Sequence, residues 1–201
     1  MDVKAMILAM AALTVLTTEA FPRRPHAKCR ISQYKTLLPS QLRAVQELRD
    51  KYEERMLPNI QKCPTKHLQQ RPSVHQFTVH ERILYVEQKL SLAVHVLKNF
   101  SNPELLEYVS KPLHMLITIR EDLRHCPRTI AHKSQKPTRL DTWLKEFNKD
   151  KEMETQECLE MRVTLNLFQM LNEDLKCTAY MEQCDKLAPR LSLPPQVTTA
   201  N

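Results

Sequence analysis

The stretch AVHVLKNFSNPELLEYV, residues 93–109, contains the shortest connection between helices that the sequence predicts. Apolar residues at helical spacing precede Asn99, and they resume after Asn102. Asn102 is a typical helix N-cap, and Pro103 suits the first helical turn that follows it. Because only residues 99–102 separate the two predicted helices, we expect the helices to form an antiparallel hairpin.

Two long helices with apolar faces are predicted to form this hairpin. The first opens with Thr78 and Glu81, which have the spacing of a capping box. Its apolar face consists of Ile83, Val86, Leu90, Val94 and Leu97. The second opens at Asn102, and its apolar face consists of Leu105, Val109, Leu116 and Leu123. Faces of this width are typical of helices that share a core.

One further long helix is predicted on each side of the hairpin. The preceding helix begins at Pro39 and ends before Pro58, with an apolar face made of Leu42, Val45, Tyr52 and Met56. The following helix runs from about Thr155 to Lys176, with an apolar face made of Leu159, Val163, Leu167 and Met170.

The lengths of the connections predict the topology. Residues 57–77 separate the first two helices, and residues 127–154 separate the last two. A helix of about 19 residues is about 29 Å long, so either connection can run back along a whole helix. Long, short and long connections predict an all-α, up-up-down-down four-helix bundle, as in helical cytokines. A shorter helix is predicted from Thr138 to Phe147, around Trp143, within the last connection.

The N-terminal residues have the pattern of a secretory leader. Lys4 precedes an apolar run, and small residues around Ala20 suit a cleavage site. The run is shorter than the roughly twenty residues that cross a bilayer. We therefore predict a signal peptide at 1–20, no membrane insertion, and a secreted, extracellular helical domain at 21–201 whose last residues, 186–201, form a flexible tail. Six cysteines in an oxidising compartment are expected to pair, and the residues alone leave every connectivity open.

Composition and motifs indicate that the chain performs no catalysis. The chain contains no glycine, which excludes P-loop, GxGxxG and GxSxG motifs. None of the eight histidines lies in HExxH, and the pairs His75 with His80 and His125 with Cys126 lack a third ligand. No enzyme, cofactor or metal site is therefore predicted. A secreted helical lipid carrier, which would need a cavity, is the alternative from a different functional class.

The chain is basic, with a formal charge of +7. Its basic clusters are Arg23, Arg24 and Lys28, followed by Arg128, Lys133, Lys136 and Arg139. Such clusters are typical of solvated loops, with heparan sulfate as the alternative partner. No nucleic-acid partner is expected, because aromatic residues do not alternate with the basic ones.

The last predicted helix has a second apolar face, formed by Met161, Leu165 and Phe168. This face predicts either a partner surface or burial beneath the connection that contains Trp143. In the first helix, Arg49 falls on the apolar side. Its stem is expected to reach the rim of the bundle, or its guanidinium to meet a partner there.

Several short segments along the chain, taken together, form one recognisable pattern of residues. In the last helix they are Cys158-Leu159-Glu160, Val163 to Phe168, and Asp174 to Cys177. Earlier patches are Cys29, Lys35 to Pro39, Lys111 to Leu116, Arg139-Leu140 and Trp143-Leu144. In their order and spacing these patches, which touch most of 21–201, resemble the type III interferons, the interferon lambda family.

This resemblance implies a secreted antiviral cytokine of the interleukin-10 and interferon superfamily, acting as a monomer. It implies that the chain joins the interferon lambda receptor to the interleukin-10 receptor beta chain, which activates JAK–STAT signalling and antiviral genes in innate immunity. Another interleukin-10 relative or a type I interferon is the alternative within this class. Asn99-Phe100-Ser101 is the one N-glycosylation sequon, so a glycoprotein with a glycan on Asn99 is also expected.

Pairings and contacts follow from the same resemblance. The implied disulfides are Cys29–Cys126, Cys63–Cys158 and Cys177–Cys184. The implied receptor-binding residues are Pro39, Leu42, Gln46, Arg49, Leu165 and Phe168, with Phe168 as the main anchor. The second receptor would contact the third helix and the adjoining side of the first. The chain departs from the mammalian family pattern at Gln46-Glu47, where lysines are common, and at Leu165, where phenylalanine is usual.

Overall fold

The computed structural model describes residues 29–56, 63, 72–126 and 138–187. For residues 185–187 it describes the backbone alone. The described residues form helices and no strand. The five main helices are α1 Pro39–Arg55, α2 Val79–Lys98, α3 Leu106–Arg124, α4 Arg139–Met153 and α5 Gln156–Gln169. The predicted leader, 1–20, and nearly all of the predicted tail, 186–201, lie outside the described residues.

Shorter segments complete these elements. Helix α5 continues without a break through the π-helical segment Met170–Leu175 into α6, Lys176–Ala179. We call this continuous rod, residues 156–179, the last helix. The 3₁₀-helices are Ile31–Lys35, Val74–Gln76, Pro103–Leu105 and Met181–Leu187. Among the described residues, none of the helices has the length and hydropathy that crossing a membrane requires.

The helix pairing is that of an up-up-down-down bundle. Helix α1 packs against α3 and the last helix, and α2 packs against the same two. The Cys29–Cys126 disulfide joins the chain before α1 to the end of α3, so α1 and α3 are antiparallel. The tight turn at 99–102 makes α2 and α3 antiparallel as well. The all-α fold predicted from the sequence is confirmed.

The caps predicted at Thr78 and Asn102 are both present, and Asn102 caps the 3₁₀-helix Pro103–Leu105 that leads into α3. The side chain of Thr78 accepts a hydrogen bond from the Glu81 backbone N–H at 3.4 Å, and the Glu81 carboxylate accepts one from the Thr78 N–H at 2.9 Å. Asn102 Oδ1 accepts from the Glu104 N–H at 2.8 Å. These side chains satisfy backbone donors that have no partner within the helix.

The main core fills the centre of the four long helices. Its fully buried side chains include Tyr52, Tyr85, Leu48, Ile83, Leu90, Leu97, Leu105, Leu116, Ile119, Leu123, Leu167 and Leu171. Helix α4 lies outside this centre and closes a second, smaller cluster formed by Leu92, Val96, Phe147 and Leu159. Trp143 and Val163 pack against that cluster, so α4 covers one side of the last helix.

Two helix boundaries differ from the prediction. Helix α4 ends at Met153 instead of Phe147, because the polar residues that follow Phe147 carry helix-forming lysine and glutamate although they show no apolar stripe. The last helix contains an unpredicted π-helical segment, where the adjacent residues Met170 and Leu171 are both buried. A π turn holds one more residue than an α turn and so shifts which residues face inward.

Candidate functional site

One face of α1 brings together the residues that the resemblance implied for receptor binding. Pro39, Leu42, Gln46 and Arg49 recur every three or four residues and therefore lie on one side of the helix. Pro39, the first residue of α1, is exposed, and the other three are partly exposed. This stripe is accessible along the length of α1, next to the last helix.

The last helix contributes Phe168 beside this stripe, and Leu165 lies on the same side of that helix one turn earlier. Both side chains are partly buried and pack against the main core. The guanidinium carbon of Arg49 lies 6.0 Å from the centroid of the Phe168 ring, which is within the range of a cation–π contact. The structure thus joins Arg49 and Phe168 across two helices that are distant in sequence.

Arg49 lies at the rim and not in the core. Its side chain is 33% exposed, and its Nη2 atom is 2.9 Å from an Asp50 carboxylate oxygen. Glu53 Oε1 is 3.7 Å from Nε on the next turn. The guanidinium therefore lies at the surface, beside acidic partners and within range of the Phe168 ring, as the sequence predicted for an arginine that reaches the rim.

Helix α4 covers a different side of the last helix. Trp143 and Phe147 stack with a centroid distance of 4.7 Å and cover Leu159 and Val163. The contact between Phe168 and Arg49 places Phe168 on the side that faces α1. We conclude that Phe168 is not covered by Trp143, so the alternative of burial beneath that connection does not hold for Phe168.

An open groove lies between α1 and α3, on another side of α1 from the Arg49–Phe168 contact. It is lined by Ser40, Gln41, Arg43, Ala44, Glu47, Lys111 and Met115. Arg43, Glu47 and Lys111 are exposed, whereas Ala44 and Met115 form its apolar floor. The resemblance placed the surface for the second receptor on α3 and the adjoining side of α1 without naming residues. The i,i+4 spacing of Arg43 and Glu47 on the exposed side of α1 is a signal that could have marked it.

Three disulfides hold the ends of the bundle. They are Cys29–Cys126, Cys63–Cys158 and Cys177–Cys184, with Cα–Cα distances of 4.3, 5.7 and 4.6 Å. These are the pairs that the resemblance implied. The last pair forms because the helix ends at Ala179 and Met181 takes a left-handed conformation with φ of 56°, which turns the chain back toward Cys177.

Asn99 caps the C-terminus of α2 and is exposed. Its Nδ2 atom donates a hydrogen bond to the His95 carbonyl at 2.9 Å. Its own carbonyl accepts a hydrogen bond from Gln156 Nε2 at 3.2 Å. A glycan on Nδ2 would leave the Gln156 contact in place and would project from the α2–α3 end of the bundle.

Two groups of potential metal ligands occur in the described part of the chain. They are His75 with Cys177 and Cys184, and Glu154 with Cys63 and Cys158. In each group the two cysteines form a disulfide with one another. A disulfide sulfur cannot act as the thiolate ligand that zinc sites use, so neither group offers a metal site in this oxidised state.

Comparison with known proteins gives matches over most of the chain. A family model described as Interleukin-28A matches residues 26–181. The chain is 35% identical over 179 residues to Interferon lambda-3 of Gallus gallus, covering 89% of this chain and 96% of that protein. It is 33% identical over 185 residues to Interferon lambda-3 of Mus musculus, with the same coverage. It is 31% identical over 157 residues to Interferon lambda-1 of Homo sapiens, covering 78% of each.

Proposed function

The chain belongs to the interferon lambda family of cytokines, which are not enzymes, and we propose that it is a secreted antiviral cytokine that joins two receptor chains outside the cell. The two chains are the interferon lambda receptor and the interleukin-10 receptor beta chain. Their joining activates JAK–STAT signalling and antiviral gene expression. The protein acts through its surface, so its function depends on which side chains the bundle presents.

The lambda receptor binds the stripe on α1 together with Leu165 and Phe168. The observation that carries this assignment is the contact between Arg49 and Phe168, which combines an aromatic ring and a guanidinium at one partly exposed position. Aromatic residues and arginine dominate the binding energy of protein interfaces. Leu42, Gln46 and Leu165 flank this pair and complete the contact surface.

The beta chain binds the groove between α1 and α3. Helix α1 lies between this groove and the last helix, because it packs against α3 on one side and the last helix on the other. Two receptor chains can therefore occupy different sides of α1 at the same time. Arg43, Glu47 and Lys111 provide charged contacts around the apolar floor of the groove.

The first experiment measures binding of the secreted, disulfide-paired protein to the ectodomain of the lambda receptor from the same species. Phe168→Ala should weaken binding by about 2 kcal/mol or more, roughly thirtyfold. Met153→Ala is the matched control, since Met153 is an apolar side chain that is 62% exposed at the end of α4. An unchanged affinity for Phe168→Ala would remove Phe168 from the interface, and failure of the wild type to bind would overturn the lambda-receptor assignment.

The beta-chain assignment has its own variant. Lys111→Glu reverses the charge of an exposed residue at the groove and should weaken recruitment of the beta chain without changing affinity for the lambda receptor. Lys149→Glu, on the exposed side of α4, makes the same charge change elsewhere. Equal effects of the two variants on beta-chain binding would contradict the assignment.

We also propose glycosylation of Asn99 and binding of heparan sulfate at the protein surface. We expect a glycan on Asn99, which peptide mapping of protein from secreting cells detects, and unmodified Asn99 in such protein would refute it. Heparan sulfate would be held by the basic clusters, of which Arg139 is exposed and the others lie outside the described residues. Elution from heparin at a salt concentration no higher than expected from net charge alone would argue against a specific site.

A further inference from the structure

Leu38, the residue immediately before α1, is a large apolar residue that is 62% exposed. Its carbonyl oxygen accepts hydrogen bonds from the N–H groups of Gln41 and Leu42, at 2.9 and 3.2 Å. These are the first hydrogen bonds of the helix, so Leu38 is the N-cap of α1. Its place around the helix is thereby fixed relative to the residues that follow it.

Leucine is an unfavourable residue at this N-cap. Serine, threonine, aspartate and asparagine are preferred there, because their side chains accept a hydrogen bond from a backbone N–H of the first turn. The Leu38 side chain has no acceptor, and the side-chain contact runs the other way, since Gln41 Oε1 accepts from the Leu38 N–H at 3.0 Å. Leucine therefore forgoes a cap and also leaves apolar surface in water. Local departures of this kind are expected where a residue serves function.

The position of Leu38 around α1 continues the stripe that contains Leu42 and Arg49. At 3.6 residues per turn, Leu38 lies within about 40° of both residues around the helix axis. Ser40 and Glu47, which line the groove between α1 and α3, lie on the opposite side of the helix. Leu38 thus belongs to the side of α1 that carries the Arg49–Phe168 contact.

The sequence around Leu38 carries no charge. Residues 36–42, TLLPSQL, contain no charged residue, although 26% of the chain is charged. Thr36, Pro39 and Ser40 are exposed together with Leu38. Charged residues are depleted at the centres of protein interfaces, where side chains lose their contact with water. A partner can therefore cover this end of α1 without removing a charge from water.

We propose that Leu38 is a further apolar anchor for the lambda receptor, which extends the contact surface by one helical turn beyond Leu42. This inference rests on the proposed function, in which the lambda receptor binds the stripe on α1. Continuity with that stripe identifies the receptor as the partner, because the beta chain is assigned to the opposite side of α1. The receptor presents an apolar surface to this end of the helix.

Leu38→Ser separates the two properties of this position, because it removes the apolar side chain and supplies a capping hydroxyl. Affinity of the secreted, disulfide-paired protein for the lambda-receptor ectodomain should fall about tenfold, as expected when a leucine no longer becomes buried. The urea midpoint of the same variant should equal or exceed that of the wild type. Weaker binding by a protein that is no less stable would show that Leu38 acts through the receptor.

Leu38→Ala removes the side chain without adding a cap, so it should weaken binding to a similar extent and decides the question even if serine perturbs the fold. Met153→Ser removes an equally exposed apolar side chain from the end of α4 and should leave the affinity unchanged. Phe168→Ala, in the same assay, tests the proposed function itself.

The outcomes separate the two hypotheses. If Phe168→Ala weakens binding whereas Leu38→Ser and Leu38→Ala do not, the inference about Leu38 is overturned and the proposed function stands. A wild type that does not bind the lambda receptor overturns both. Weaker binding of the Leu38 variants to the beta chain alone would also overturn the inference, because it would place Leu38 on the other contact surface.

Discussion

The Arg49 guanidinium lies over the ring of Phe168, with 6.0 Å between the guanidinium carbon and the ring centroid. The two residues come from α1 and the last helix, and their contact is at the edge of the core. The Phe168 ring is partly buried against the core and lies within cation–π range of the guanidinium. A ring held in this way loses little side-chain freedom on binding, which favours its use as an anchor for a partner.

The Arg49–Phe168 contact should contribute to stability before any receptor is present. We expect a coupling free energy of about 0.5–1 kcal/mol in a double-mutant cycle with Arg49→Gln and Phe168→Leu, as is typical of partly exposed cation–π pairs. Urea unfolding of the four proteins measures it. Additive effects of the two substitutions would show that the guanidinium and the ring lie close together without a stabilising interaction.

The Lys89–Asp174 ion pair is largely withdrawn from solvent, so we expect folding to depend on it. Its side chains are 12% and 11% exposed. Asp174→Asn should lower the free energy of unfolding by about 3 kcal/mol, because it removes the carboxylate that balances a largely desolvated ammonium. The double substitution with Lys89→Met should recover most of that loss.

The exposed pair Lys51–Glu54, at 2.7 Å, is the control for this cycle. Because both its side chains are solvated, Glu54→Gln should cost far less than Asp174→Asn. Similar losses at the two pairs would mean that burial does not set the cost of breaking the Lys89–Asp174 pair.

The disulfides should stabilise the fold more when they close a longer stretch of chain, with a logarithmic dependence on its length. Cys29 and Cys126 are 97 residues apart, whereas Cys177 and Cys184 are seven residues apart. By chain entropy, replacing the first pair with alanine should cost about 4–5 kcal/mol and replacing the last pair about 2–3 kcal/mol. Denaturant unfolding of the two double variants checks the order, and a larger loss at Cys177–Cys184 would reverse it.

Glu154 should make stability depend on pH. Burial raises the pKa of this carboxyl above its usual 4.5, the Arg162 charge opposes that shift, and Asp150 adds to it. Since the native state then holds the proton more tightly than the unfolded chain, acidification from neutral pH toward 4.5 should stabilise the wild type relative to Glu154→Gln. Below 4.5 both states are protonated and the difference should stop changing.

Denaturant midpoints of wild type and Glu154→Gln across this pH range measure the effect. Loss of the Arg162 partner adds an offset that does not vary with pH, because arginine stays charged. Glu152→Gln, an exposed carboxylate in α4, is the control. A wild type that loses stability relative to Glu154→Gln on acidification would contradict the direction of the pKa shift.

The helices and their order were readable from local chemistry. Thr78 with Glu81, and Asn102 before Pro103, mark helix starts by hydrogen bonds that involve residues close in sequence. The short turn at 99–102 then restricts its two helices to one relative direction. Such features depend on neighbouring residues alone, so no knowledge of the partner helices is needed to predict them.

The extent of α4 and the π-helical segment were not readable in this way. Residues 148–153 show no apolar period, and their helix is stabilised by a capping pair at its start and by packing of Phe147. Met170 and Leu171 are adjacent in sequence, and both belong to the main core, because the π-helical segment packs against α2 and its wider turn directs both side chains inward.

The sequence by itself determined a glycine-free, all-α bundle with an antiparallel hairpin at its centre, because periodicity, caps and connection lengths are local properties. Only the tertiary structure decided which charges are buried together. Glu160 is fully buried and accepts hydrogen bonds from the Ser101 backbone N–H and hydroxyl at 2.8 and 2.9 Å. Its hydrogen-bond partners come from a distant part of the chain. Burial of a charge is set by helices that meet through packing, and no spacing within one helix reveals it.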